Sequence, residues 1–375
     1  MFEVELVSEE RRFDTLREEW NDLWTESASR SAFSSYNWTR CCWQELRHEN
    51  DLRIVVVRDH GAAILIAPFM KSRRNLRGLP VICLTFIEHP ENQTADFLAR
   101  SSDREGRGMR ECFRYLQNSV RGWHLLSLDK IAATSPTVQL LRGMSMGSGS
   151  KWDLRSSHKA YYIPLSGSWE TYLASRSNRF RKTLRNIINR VDRLGNVSVK
   201  SYATTTLNAK VLEQIFAISE ASWKLGDGIA MTSQRLQFFT ELIANSTGEP
   251  KVEVWVLEFD GAPVASEIQV FDGRTVYALK SDYDERYAEY SPGVYLQHAI
   301  LKRLFECREE VYNFGVGLNP YKSRWTDLST TLVKGCVYNR TVYSHIVRAV
   351  NSYDLPKRSW LSGIKSANAG VRDAV

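Results

Sequence analysis

Histidine and cysteine are scarce in this chain of 375 residues, numbering seven and six. The cysteines (Cys41, Cys42, Cys83, Cys112, Cys307 and Cys336) show no C-x-x-C spacing, and the adjacent pair Cys41-Cys42 falls in a predicted helix. Neither a disulfide framework nor a zinc site follows from them. There is no His-x-x-x-His or His-Glu-x-x-His pair, which disfavours a metal hydrolase, and no metal is expected. A Walker loop and a G-x-G-x-x-G turn are also missing. The longest apolar runs, at 54–57 and 62–69, are strand-sized and far short of a membrane span. The opening segment MFEVELVSEERRF is acidic and mixed, without an apolar h-region. The expectation is a reduced, cytoplasmic protein.

What the chain does hold is material for two cores. An apolar share of 43% with eleven tryptophans suits two domains of about 150–200 residues. The expected division is residues 1–155, residues 156–350 and a polar tail over 351–375. The small-residue stretch from Met144 to Ser150 would open the connection. A net charge of +7 favours anionic partners such as CoA, nucleotide sugars, tRNA or an acidic lipid surface, without choosing among them.

The first half reads as helices at 9–25 and 36–48, then a hairpin of strands 52–58 and 62–70 about Asp59-His60-Gly61. A strand at 81–86, a helix at 104–120, a strand at 123–128 and a short helix begun by Ser135-Pro136 follow. The second half opens at Tyr161, with helices at 169–175 and 180–194, the latter capped by Gly195. A strand at 197–202 and helices at 208–223 and 233–245 come next. Asp260-Gly261 and Asp272-Gly273 then separate strands 252–259, 263–271 and 275–279. The last of these leads into a helix at 294–309 and a strand at 311–314, with a closing strand or two within 332–347. Both halves thus order helices, antiparallel strands and a strand–helix–strand crossover. The expected fold class is α/β with mixed, α+β sheets, doubled in tandem, although no repeat is visible in the sequence itself.

The crossover of the second half is the most informative segment. Its helix opens on Ser291-Pro292-Gly293, where exposed backbone N–H groups and the positive end of the helix dipole suit a pyrophosphate. Pro292 at the first helical position costs no hydrogen bond, and Gly293 admits a ligand close to the backbone. Arg286, in the preceding loop, would add a charged contact. The bland alternative is an ordinary N-cap.

The same stretch carries a family resemblance, in Tyr283-Asp284, Ser291-Pro292-Gly293, Leu296 and Gly317-x-x-x-Tyr321-Lys322-x-x-Trp325. It resembles the last third of the CelD-like, BioF-like branch of the GNAT acyltransferase superfamily, whose wider relatives include the Fem peptidyltransferases. The resemblance implies two tandem GNAT-like domains, the C-terminal one the better match. It implies an N-acyltransferase using acetyl-CoA or another acyl-CoA, acting on an amine connected with envelope polysaccharide. A Fem-type enzyme drawing on aminoacyl-tRNA is one alternative. A silent scaffold that keeps the fold is the other. In relatives an acid often directly follows the glycine of the last motif, where this chain has Leu318.

For the general base, Glu267 is the first candidate: a mid-strand acid among apolar neighbours, where partial desolvation would raise its pKa. A solvent-facing strand glutamate is the alternative reading. Asp282 and Asp284 are rival acids, with a loop-surface position as their alternative. Tyr321 could protonate a departing thiolate, Lys322 could bind an acceptor anion and Trp325 could wall the pocket. Otherwise Tyr321 and Trp325 are core anchors and Lys322 a rim residue. The segment from Ser175 to Arg185 also resembles the family; in it Arg181 and Arg185 share a helical face suited to an anionic acceptor, or simply to solvent.

Overall fold

Two tight turns set the centre of the second half. In the computed structural model, Asp260 and Gly261 both lie in the left-handed region (φ 48° and 78°), the two-residue geometry that matches strand twist. Residues 2–146, 150–222, 231–245, 248–307, 309–317 and 319–352 are described. Leu318, Trp223 and the tail beyond 352 lie outside them.

The first half contains β1 (Phe2–Val7), α1 (Glu10–Asp14), α2 (Arg17–Glu26), α3 (Tyr36–Leu46), β2 (Asp51–Asp59) and β3 (Ala62–Leu76). It continues with β4 (Leu79–Phe86), β5 (Leu98–Ala99), α4 (Arg107–Asn118), β6 (Leu125–Ala132), α5 (Pro136–Gly143), β7 (Ser145–Met146) and β8 (Ser150–Lys151). The second half begins with β9 (Asp153–Pro164), α6 (Trp169–Ala174), α7 (Asn178–Asp192), β10 (Val197–Ala203), α8 (Ala209–Glu220) and α9 (Ser233–Ala244). Then come β11 (Lys251–Phe259), β12 (Ala262–Phe271), β13 (Thr275–Tyr283), α10 (Pro292–Leu304), β14 (Val311–Val316), α11 (Pro320–Trp325), β15 (Ser329–Tyr338) and α12 (Val342–Ser352).

The main strands run as one mixed sheet, β1-β2-β3-β4-β6-β15-β9-β14-β13-β12-β11-β10, with β5 beside β3. From either edge the order is the same: four antiparallel strands, one parallel partner reached through a crossover helix, then one antiparallel strand. The parallel partners are β4–β6 and β13–β14. The innermost strands are exchanged. β15, last in the chain, pairs with β6 of the first half, while β9, early in the chain, pairs with β14. β9 and β15 also pair with each other and close the sheet across the middle.

This arrangement corrects several sequence expectations. The opening acidic segment is an edge strand, because Phe2, Val4 and Leu6 pack on the first-half core. The first helix is broken at Thr15-Leu16. The small β7–β8 pair forms around the expected 144–150 connection, and the strand expected to open at Tyr161 begins earlier, at Asp153. Of the closing strand or two expected within 332–347, one forms, β15, and a helix follows it.

The halves share a core. Trp38 on α3 packs edge-on against Phe238 on α9 at 5.2 Å, and Phe33 packs on Tyr277 of β13 at 4.8 Å. On the opposite face, Leu184, Ile187 and Val191 of α7 join Leu296, Ile300 and Leu301 of α10 over the second half of the sheet. That second layer carries the candidate site.

Candidate active site

β13 and β14 are parallel for only three rungs, Thr275↔Val311, Val276↔Tyr312 and Tyr277↔Asn313. Beyond them the strands part, and both are bulged where they do. Leu279 is an extra residue in β13 against β12, and Phe314 is an extra residue in β14 against β9. A bulge bends its strand and raises its twist, so two at one level turn the edges away from each other. Gly315 and Gly317 follow at φ 82° and 102°, a backbone that residues with a Cβ rarely adopt.

The helix that crosses between these strands starts beside the gap. Ser291 occupies the N-cap position at φ 53°, and its side chain makes no capping hydrogen bond. Its carbonyl accepts from the N–H groups of Val294 and Tyr295 at 3.0 and 3.2 Å. A Cβ on Gly293 would meet only the Tyr283 ring, at 3.5 Å. The corresponding turn in the first half is already filled. There Asp103 accepts from the N–H groups of Arg107 and Gly108 at 3.0 and 2.8 Å, and a Cβ on Gly106 would stand 2.7 Å from Leu140. The dipole of α4 is therefore answered by the chain's own carboxylate.

A cleft of about 490 Å³ opens between the start of α7, the first turn of α10 and α11. Arg176, Arg179 and Arg324 line it with Phe180, Tyr321 and Trp325. Ser177 caps α7 through the N–H of Phe180 at 3.2 Å, and Asn319 caps α11 through the N–H of Tyr321 at 3.1 Å. These caps hold the two walls. Phe180 meets Trp325 edge-on at 5.0 Å. Tyr172 donates to the Trp325 carbonyl at 2.6 Å, and Arg176 pairs with Asp327 at 3.1 Å.

Glu267 lies under α10, not in solvent, with 2% of its surface exposed. Its Oε1 accepts from the Tyr312 hydroxyl at 2.7 Å and from Gln269 at 2.6 Å, and its Oε2 accepts from Ser281 at 2.7 Å. Gln297 of α10 donates to the Tyr312 oxygen at 2.9 Å, and Trp255 donates to Gln269 at 3.2 Å. Burial and the Glu267 charge push the Tyr312 phenol far above its ordinary value. Burial, then the same charge, raises Tyr321 as well, so its phenol is protonated at neutral pH.

The other candidates divide. Asp282 and Asp284 are buried at the end of the crossover strand and are not loop-surface acids. Asp284 is held by Arg286, with Nη2–Oδ2 at 2.6 Å, and its carboxyl is lowered mainly by that hydrogen bond. Lys322 is buried, its ammonium donating to the carbonyls of Gly315 and Val316 at 3.1 and 3.0 Å. It clamps the turned end of β14. Trp325 walls the cleft and is 2% exposed. Arg181 is half-buried and Arg185 exposed on α7, and the arginines that line the cleft are Arg176, Arg179 and Arg324. Arg176 and Arg179 belong to the basic segment expected at 175–185, whereas Arg324, Tyr312 and Gln297 carry no signal in the sequence. A phenol two residues into a strand gives no local sign that it will reach a carboxylate two strands away. Among the described residues no cluster of acids, histidines and cysteines is placed to hold a metal ion. None of the described helices is long and apolar enough to cross a membrane.

Residues 178–323 match the family described as the acetyltransferase (GNAT) domain. That stretch is a GNAT acetyltransferase-like domain, and the whole chain has a GNAT-like mixed α/β fold. Its fold is similar to that of FemX, at a TM-score of 0.62 and 11% identity over 92% of this chain and 100% of that chain. It is also similar to a protein of unknown function from Bacteroides thetaiotaomicron (TM-score 0.56, 11% identity, 90% of this chain and 100% of the other). L-PGS from Bacillus licheniformis follows at 0.51, with 11% identity and 90% and 97% coverage. At these identities the likeness is one of fold. No curated protein matches by sequence.

Proposed function

We propose that the chain is an N-acyltransferase that takes an acyl group from acyl-CoA, and that the division of labour follows the two halves. One observation supports this most: β13 and β14 part after three rungs, directly beside the first turn of α10. The parted edge of β13 would lie along an extended, amide-bearing arm, as it would beside an added strand. The N-terminus of α10 offers N–H groups and a positive dipole end to the phosphates at the other end of that arm. Asp103 fills the equivalent turn in the first half, which supports donor binding by residues 156–350.

In this reading the amine nitrogen attacks the thioester carbon. The C–N bond forms, the C–S bond breaks and the amine proton passes to Glu267. Tyr321 protonates the departing thiolate and is restored from Glu267. Arg176, Arg179 and Arg324 would hold an anionic group of the acceptor, such as a phosphate or carboxylate on a surface-glycan precursor. The test is a thermal-shift titration with acetyl-CoA, longer acyl-CoAs and free CoA. A ligand at about 100 times its Kd raises stability by roughly 2.7 kcal/mol. No shift with any of them would exclude the donor.

The basic cleft, together with the FemX-like fold, supports a second reading, transfer from aminoacyl-tRNA. Transfer abolished by ribonuclease, with no response to acyl-CoA, would establish it in place of the first.

A further inference from the structure

The gap between β13 and β14 is not held open by these strands alone. Gln93, from the loop before β5 in the first half, enters it and is 5% exposed. Its Nε2 donates to the Ala278 carbonyl at 2.6 Å. Ala278 is the first β13 residue past the last parallel rung, so a side-chain amide stands where the next rung of the ladder would be. On the other strand, the Gly315 N–H turns back to Asn313 Oδ1 at 2.9 Å. A Cβ on Gly315 would lie 2.8 Å from Gln93 Nε2 and 3.2 Å from its amide carbon, so the amide lies directly against that glycine. The remaining atom, Gln93 Oε1, is buried with no hydrogen-bond partner among the described residues. A buried carbonyl without a donor is costly.

We infer that Gln93 is a positioning residue for the acyl donor: a wedge supplied by the first half that ends the β13–β14 ladder, with a free carbonyl placed to accept an N–H of the ligand's amide arm. The inference rests on the transferase reading for its ligand, but the wedge is a property of the free protein. It makes the first half part of the site, although that half's own helix turn is closed.

Two measurements on Gln93→Ala, Gln93→Met and Gly315→Ala separate the possibilities. In the free protein, hydrogen exchange of residues 278–283 and 311–317 should change at least several-fold in Gln93→Ala and Gly315→Ala, with the remaining described segments unaffected. In turnover with acetyl-CoA, all three should raise KM about ten-fold or more with little change in kcat. Gln93→Met keeps the bulk and lacks the amide, so a wild-type KM in a folded Gln93→Met protein would overturn the carbonyl role. Unchanged exchange in folded Gln93→Ala would overturn the wedge. If wild type itself fails to bind any acyl-CoA, the transferase reading falls, and the exchange measurement still decides the wedge.

Discussion

The Tyr312 hydroxyl donates to Glu267 Oε1 at 2.7 Å, reaching from β14 past β13 to β12 beneath helix α10. That bond spans the level at which β13 and β14 part, and it leaves Glu267 with donors on both oxygens. Replacing Glu267 with Gln keeps the shape and removes the charge. The expected result is a fall in kcat of about 100-fold or more, within the range of general-base catalysis, with acyl-donor affinity preserved. Tyr312→Phe should lose about 1 kcal/mol of stability from one buried hydrogen bond, seen in urea denaturation.

Lys322 should prove to be a structural clamp. Its ammonium holds two carbonyls at the end of β14. Lys322→Met leaves both without that donor and should cost about 2–4 kcal/mol in a denaturant titration, larger than any change in acceptor KM among molecules that remain folded. A variant of wild-type stability with a greatly raised acceptor KM would instead place Lys322 on the substrate.

The cleft arginines differ from those further along α7. Arg179 and Arg324 line the cleft, whereas Arg185 is exposed and does not. Arg179→Ala and Arg324→Ala should each raise KM for an anionic amine acceptor several-fold and reduce its salt dependence. Arg185→Ala should leave both unchanged, as measured by initial rates at two ionic strengths.

Helix α10 should weaken in mild acid. His298 sits beside Trp169 and Tyr295, and burial, followed by Lys302, lowers its pKa from 6.5 to about 4, opposed by Asp192. Above pH 6.5 the folded and unfolded chains both hold it neutral. As pH falls from 6.5 towards 4 the unfolded chain takes up the proton first, so stability falls across that window. His298→Gln should flatten the pH dependence of the melting temperature there.

Local pattern made much of the fold legible. The Asp260-Gly261 turn, the alternating strands around it and the apolar stripe of α7 each declare themselves within a few residues. The Ser291-Pro292-Gly293 turn was visible for the same reason. The exchange of β9 and β15 was not, because strand pairing is settled between segments far apart in sequence and leaves no local mark. Glu267 stood out as an acid among apolar neighbours, but its partners come from β13 and β14, and no spacing announces them. Gln93 is the extreme case: it contacts Ala278, which lies in the other half of the chain.

The most direct test of the account is hydrogen exchange of the full chain with and without saturating acetyl-CoA. The expected result is protection confined to residues 278–283, 290–297 and 314–317, lost in Gly293→Trp. Gly293 has room for a Cβ against Tyr283, so Gly293→Ala should keep most of the protection and show that the tryptophan variant blocks the ligand. Protection at residues 103–110 instead, or none at all, would contradict a donor site at the start of α10.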